Sequence, residues 1–178
     1  MEQLGRVFQL SVSRGGVPKT RVEQALVTEA GLAGDAQADL RAHGGPERAL
    51  CLFAVEQLAI MQNEGHRVFA GATGENVTIE GIEWDRVVPG VLLYLGDEVV
   101  AEVTDYTSPC MKNARWFING NFNRMNQALF PGSSRVYARV VEGGRIREGD
   151  TVRLGNDNAI DRVVRRQVPA HRWPRDFQ

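Results

Sequence analysis

Two apolar runs meet across a short glycine turn in the middle of the chain. Val91-Leu92-Leu93-Tyr94-Leu95 is followed by Gly96-Asp97 and then Glu98-Val99-Val100-Ala101-Glu102-Val103. Runs rich in Val, Leu and Tyr, joined by a two-residue loop with glycine first, predict a β-hairpin. The same grammar recurs along the chain. Phe8, Leu10 and Val12 alternate with Gln9 and Ser11, predicting a strand that buries the first three on one face. Val22 to Thr28 reads as a strand closed by Gly31, and Asn76 to Glu80 as one ended by Gly81. Ala49-Leu50-Cys51-Leu52-Phe53 is apolar throughout, as a strand buried on both faces requires. Arg135 to Val141, Gly143-Gly144 and Arg145 to Leu154 predict a second hairpin.

Helical spacing is rarer. Val55, Leu58, Ala59 and Gln62 predict one helix, stopped by Gly65. Asn121 is placed to cap a second, with Phe122, Met125 and Leu129 on one face and Pro131-Gly132 at its end. About eight strands and two or three short helices define a mainly β (α+β) domain, a barrel or sandwich with helices at its rim. Strands and helices do not alternate cleanly, so a parallel sheet is not expected.

With 178 residues the chain has the length of a single domain, read as residues 1–178. A balance of 21 Lys+Arg against 22 Asp+Glu leaves no overall electrostatic footprint for nucleic acid. No apolar run reaches the ~20 residues of a membrane span, and the first residues lack the basic flank and apolar block of a signal peptide. Two cysteines are too few for a disulfide framework, so a reducing, cytoplasmic setting is expected. From Asp161 onward there are five Arg and two Asp, giving this segment +3 and the remainder −4. Such a basic end either meets an anion or partner, or docks through salt bridges.

The two cysteines sit in different company. Cys51 lies within Ala49–Phe53, where apolar neighbours keep a thiol protonated and inert. Cys110 follows Thr107-Ser108-Pro109 and precedes Met111-Lys112-Asn113-Ala114-Arg115. Proline extends Ser108 and suits a first helical turn, which places Cys110 at a helix N-terminus near two cations. That setting favours the thiolate, which is both nucleophile and soft metal ligand. A small apolar residue following a strand would fill the same position. The three histidines, His43, His66 and His171, are scattered, which leaves a cysteine hydrolase without an evident base. No Cys-x-x-Cys, glycine-rich dinucleotide loop or Walker lysine is present.

Two glycine loops could cradle an anion. The first runs from Gly34-Asp35 to Arg41-Ala42-His43-Gly44-Gly45-Pro46-Glu47-Arg48, and the second is Gly71-Ala72-Thr73-Gly74-Glu75-Asn76. Simple turns leading into strands would use many of the same residues.

Taken in order, these segments resemble the MOSC family, found at the C-terminus of molybdenum cofactor sulfurases, and most closely its stand-alone YiiM-like branch. The resemblance is carried by Gly34-Asp35, His43-Gly44-Gly45-Pro46 with Arg48-Ala49-Leu50, Gly74-Glu75-Asn76, Gly96-Asp97 and Ser108-Pro109-Cys110-x-Lys112-Asn113-x-Arg115. It extends from about residue 5 to 155, with 156–178 as a basic C-terminal extension. The resemblance implies a β-barrel whose cleft receives the molybdenum cofactor, a pterin dithiolene bearing a phosphate. It implies Cys110 as molybdenum ligand and catalytic residue or, in the sulfurase branch, as a persulfide carrier. His43, Gly44 and Gly45 would line the pocket; Arg48, Lys112 and Arg115 would hold the phosphate; Asn76 would meet a pterin edge. Relatives in the cofactor-binding branch reduce N-hydroxylated compounds. That activity, sulfur transfer, and cofactor carriage without turnover are the three functions implied, with electrons or sulfur supplied by a separate protein. The chain departs from the pattern in its short length for the stand-alone branch and in Met111, where the pattern favours an aromatic.

Overall fold

The computed structural model describes residues 3–36 and 44–155. Among these are eleven strands: β1 (Leu4–Val12), β2 (Thr20–Val22), β3 (Gln24–Thr28), β4 (Gly31–Leu32), β5 (Leu50–Ala54), β6 (Val77–Glu80), β7 (Leu92–Leu95), β8 (Val99–Tyr106), β9 (Val136–Glu142), β10 (Gly144–Arg147) and β11 (Thr151–Leu154). One α-helix, α1 (Val55–Asn63), follows β5, and the remaining helical turns are short 3-10 segments.

Seven strands close on themselves in the order β11-β7-β8-β9-β5-β6-β1, with β1 returning to β11. The edge of β1 opposite β6 is shared: Leu4 to Arg6 pair with β11, and Leu10 to Val12 pair with β2. A smaller sheet, β10-β3-β4, packs beside this barrel. The mainly β expectation with short peripheral helices therefore holds. Side chains such as Leu10, Leu50, Leu52, Ile79, Leu93 and Leu95 are fully buried and belong to one continuous core. A filled interior puts any ligand site at an end of the barrel rather than along its axis.

The apolar run at 50–54 is buried at every position: β5 is paired on both edges, with β6 and β9, and both its faces are covered, Phe53 meeting the Trp84 ring edge-on. The hairpin at 91–103 forms, although Leu95 pairs directly with Val99, leaving a three-residue connection. In α1, Leu58 and Met61 face the core while Ala59 and Gln62 are exposed.

Four expectations are corrected. Phe8 is not on the buried face of β1: the register slips between Val7 and Gln9, and this bulge sends Phe8 outward, 40 % exposed, and Val7 inward. The strand expected over 22–28 is two, because the chain passes from one sheet to the other at Glu23. The 135–154 hairpin does not form: β9 pairs with β8 along one edge and with β5 over residues 136–138 on the other, and β10 pairs with β3 in the smaller sheet. The second helix shrinks to a 3-10 turn over Phe122–Met125, whose Asn121 side chain caps nothing. There Asn126 takes an extended backbone and its side chain accepts the Ala128 N–H at 2.9 Å, a local bond that competes with the helix. The sheets are antiparallel, as expected, apart from one parallel pair among the described residues, where α1 carries the chain from β5 over to β6.

Candidate functional site

One end of the barrel gathers the starts of β5, β6 and β9 with the ends of β1 and β8. Backbone groups are paired there, yet the side chains and the loops they lead into are free to converge. They enclose a cleft of about 670 Å³, part of it open to solvent.

The floor comes from the strands. Cys51 and Tyr137 lie opposite each other in the β5–β9 ladder, and Arg135 precedes β9. Burial pushes the Cys51 thiol up to about 11 and the Tyr137 hydroxyl up to about 12, so both are neutral at physiological pH. Cys51 is thus the inert thiol the sequence indicates, though it faces a cavity rather than sealed packing. Arg48, leaving the 3-10 turn Pro46–Arg48, lies 5.2 Å above the Tyr137 ring.

A second wall is a hydrogen-bonded chain. Lys19 Nζ meets Asp35 Oδ1 at 2.6 Å and Oδ2 at 2.8 Å, with both side chains at least nine-tenths buried. Asp35 also accepts the Ser13 N–H at 2.8 Å and the Asn76 Nδ2 at 3.2 Å, and Asn76 Oδ1 accepts the Cys51 N–H at 2.9 Å. Asn76 therefore reaches the cleft, but its amide is engaged on both sides. Gly74 is in the left-handed region at φ 103°, and a Cβ there would meet Val17 at 3.2 Å, so backbone is presented where a side chain would crowd the cleft. Its neighbour Glu75 is fully buried and accepts the Gly71 N–H at 2.8 Å and the Thr73 hydroxyl at 2.7 Å. Desolvation raises its pKa despite those bonds.

The third wall is the segment expected to carry the chemistry. Cys110 is extended, half-buried, and stands immediately before the 3-10 turn Met111–Trp116. Its side chain lines the cleft together with Lys112 and Asn113. The helix N-terminus expected after Pro109 is a tight 3-10 turn, and the Cys110 carbonyl accepts the Asn113 N–H at 2.9 Å.

Of the residues singled out by sequence, the cleft unites Cys110, Lys112, Arg48 and Asn76. Gly44 and Gly45 precede the Pro46 turn and do not line it. Arg115 is exposed and also stands outside it: Nη2 donates to the Val17 carbonyl at 2.7 Å, and the guanidinium lies 4.5 Å over the Trp116 ring. His43 and the basic segment beyond 155 fall outside the described residues. His66 belongs to the scaffold, with Nδ1 accepting the Ile118 N–H at 3.1 Å.

Sequence reading missed Lys19, Tyr137, Asn113 and above all Arg135. The available signal was a cation opening an otherwise apolar strand, Ser133-Ser134-Arg135-Val136-Tyr137. Among the described residues, four cations, Lys19, Arg48, Lys112 and Arg135, line the cleft against one carboxylate, Asp35. Such a surface attracts an anion. Among the described residues no cluster of three His, Cys, Asp or Glu could hold a metal ion by itself. The chain offers a metal one thiolate, which fits a metal that arrives with further ligands of its own.

Among the described residues, no helix is long and apolar enough to cross a membrane. The family model for the MOSC domain matches residues 39–153. The chain is 34 % identical over 122 residues to the uncharacterized protein YflK of Bacillus subtilis, covering 68 % of this chain and 54 % of YflK. It is also 34 % identical over 101 residues to YiiM of Escherichia coli, covering 54 % of this chain and 45 % of YiiM. It therefore spans about half the length of these curated relatives. The crystal structure of YiiM from Geobacillus stearothermophilus superposes with a TM-score of 0.64 at 24 % identity, over 85 % of this chain and 75 % of that one. Barrel, cleft and cysteine-bearing turn thus come with a matching family model and with similarity to YflK and YiiM, and the chain belongs to the MOSC domain family.

Proposed function

We propose that the cleft binds the molybdenum cofactor through Cys110 and that the protein reduces N-hydroxylated compounds. The observation that carries this reading is a half-buried cysteine placed in a cleft whose charged lining, among the described residues, is four cations to one carboxylate. The donor set fits the group: one soft thiolate for a metal, and cations for the phosphate. When bound, the cofactor supplies two-electron chemistry that cleaves a substrate N–O bond, leaving the amine and releasing water.

The chain's own residues bind and orient. Cys110 offers its sulfur from an extended backbone at the edge of a tight turn, where a bound group can reach it. Lys112 lines the same cleft and adds positive charge to the wall that carries Cys110. The Lys19–Asp35–Asn76 chain fixes the opposite wall, so the cleft does not have to reorganise on binding. Cys51, held protonated, does not compete for the metal. Electrons and the accompanying protons enter with a separate donor protein and from solvent.

Elemental analysis of protein expressed in a molybdate-fed, cofactor-competent host tests the reading. Molybdenum should co-purify with the wild type and be lost from Cys110→Ser. A wild-type chain without molybdenum, carrying Cys110 heavier by one sulfur atom in intact mass, would make it a sulfur carrier. Molybdenum retained with no N-reduction, whatever electron donor is supplied, would make it a cofactor carrier.

A further inference from the structure

Arg135 is the most costly side chain in the cleft. It is 5 % exposed, and a buried guanidinium remains charged, so it needs an anion or a full set of acceptors. Among the described residues it forms no ion pair. Nη1 donates to the Thr73 carbonyl, and Nε is buried with no hydrogen-bond partner. The one buried carboxyl whose titration Arg135 influences, Glu75, is already held by Gly71 and Thr73. Beside it, the 2 % exposed Asn113 has an unpartnered Oδ1, and it too lines the cleft. The Thr73 carbonyl does not depend on Arg135, because Asn113 Nδ2 also donates to it at 3.2 Å. A purely structural role therefore leaves the charge without a purpose.

We infer that Arg135 is the principal anion-holding residue of the cleft, and that its ligand is a multiply charged oxyanion of the phosphate monoester class. Arg48 and Lys112 line the same cleft and extend the positive wall around it. A planar fork of donors suits phosphoryl oxygens. Arg115, engaged with Val17 and stacked on Trp116, does not take this part. The inference deepens the cofactor reading, in which the phosphate belongs to the pterin, but it concerns the anion site alone and needs no metal.

Thermal-shift titration of the full chain with inorganic phosphate at constant ionic strength, with acetate as the carboxylate comparison, is the test. Phosphate should raise the melting temperature saturably and acetate should do so far less; an equal response to acetate would overturn the phosphate class. In Arg135→Gln the apparent phosphate affinity should fall tenfold or more while the melting temperature without phosphate is unchanged or higher. Arg139→Gln, a surface charge change at the Glu102 pair, should respond like wild type. A glutamine variant that binds phosphate as wild type does, or melts lower with its phosphate response intact, would overturn the inference. Should Arg135→Gln not fold, Arg135→Lys keeps the charge without the fork: a weakened response supports the inference and an unchanged one overturns it. A wild-type chain that carries no molybdenum would strike the cofactor reading and leave this result standing.

Discussion

At the scale of single residues, two thiols in one cleft are set apart by what surrounds them. Cys51 hangs from a strand with neighbours on both edges, and its charged form would have to exist without water. Cys110 stands where β8 gives way to a turn, and solvent reaches it. The neutral pair Cys51 and Tyr137 has a consequence for stability. The thiol moves from an ordinary 9.0 to about 11 on folding, and the hydroxyl from 10.0 to about 12. Above pH 9 the unfolded chain releases protons that the folded chain keeps, so stability must fall as pH rises, through pH 11 for Cys51 and pH 12 for Tyr137. The loss is bounded at about 3 kcal/mol for each group. Urea unfolding from pH 8 to 11 should show this decline, and Cys51→Ala and Tyr137→Phe should each make it shallower. A decline identical in both variants would mean that other groups cause it.

At the scale of elements, the instructive case is β1. Strict alternation puts Phe8, Leu10 and Val12 together, and the strand does form over those residues. The bulge between Val7 and Gln9 then shifts the pattern by one, a change that local sequence does not announce because either Val7 or Phe8 can fill a core position. Phe8→Ser should accordingly cost less than about 1 kcal/mol, whereas Leu10→Ala, a fully buried truncation, should cost ~2–5 kcal/mol. Chemical denaturation of the two variants checks the assignment, and equal costs would place Phe8 back in the core. The same lesson applies to β9 and β10. Gly143-Gly144 permits a hairpin, but β10 pairs with β3, a strand more than a hundred residues earlier in the chain.

At the scale of the whole molecule, closure of the barrel depends on β1 serving two partners along one edge. Gly5 sits at that seam, opposite Val152, and a Cβ there would overlap the Glu80 carbonyl and lie 2.7 Å from Ile82 Cγ1. Gly5→Ala should therefore destabilise by ~1–3 kcal/mol, as overpacked sites do. Thermal unfolding would register it as a lower melting temperature, and an unchanged value would mean that the seam is loose. Closure also delivers the cleft. It brings residues 16–19, 35, 48–51, 73–76, 110–113 and 135–137 to one end of one barrel.

The sequence alone determined that the chain is mainly β, where β5, β6 and the β7–β8 hairpin lie, and that Cys51 and Cys110 differ in kind. Those properties depend on neighbours within a few residues: alternation, turn glycines, an apolar run, a proline before a turn. Only the tertiary structure decided which strands share an edge, where alternation slips, and which cations face the cleft. Arg115 and Arg135 look equally available in the sequence, yet one stacks on Trp116 at the surface and the other is enclosed beside Thr73. Burial and charge compensation are set by atoms far apart along the chain, so no local pattern could have chosen between them.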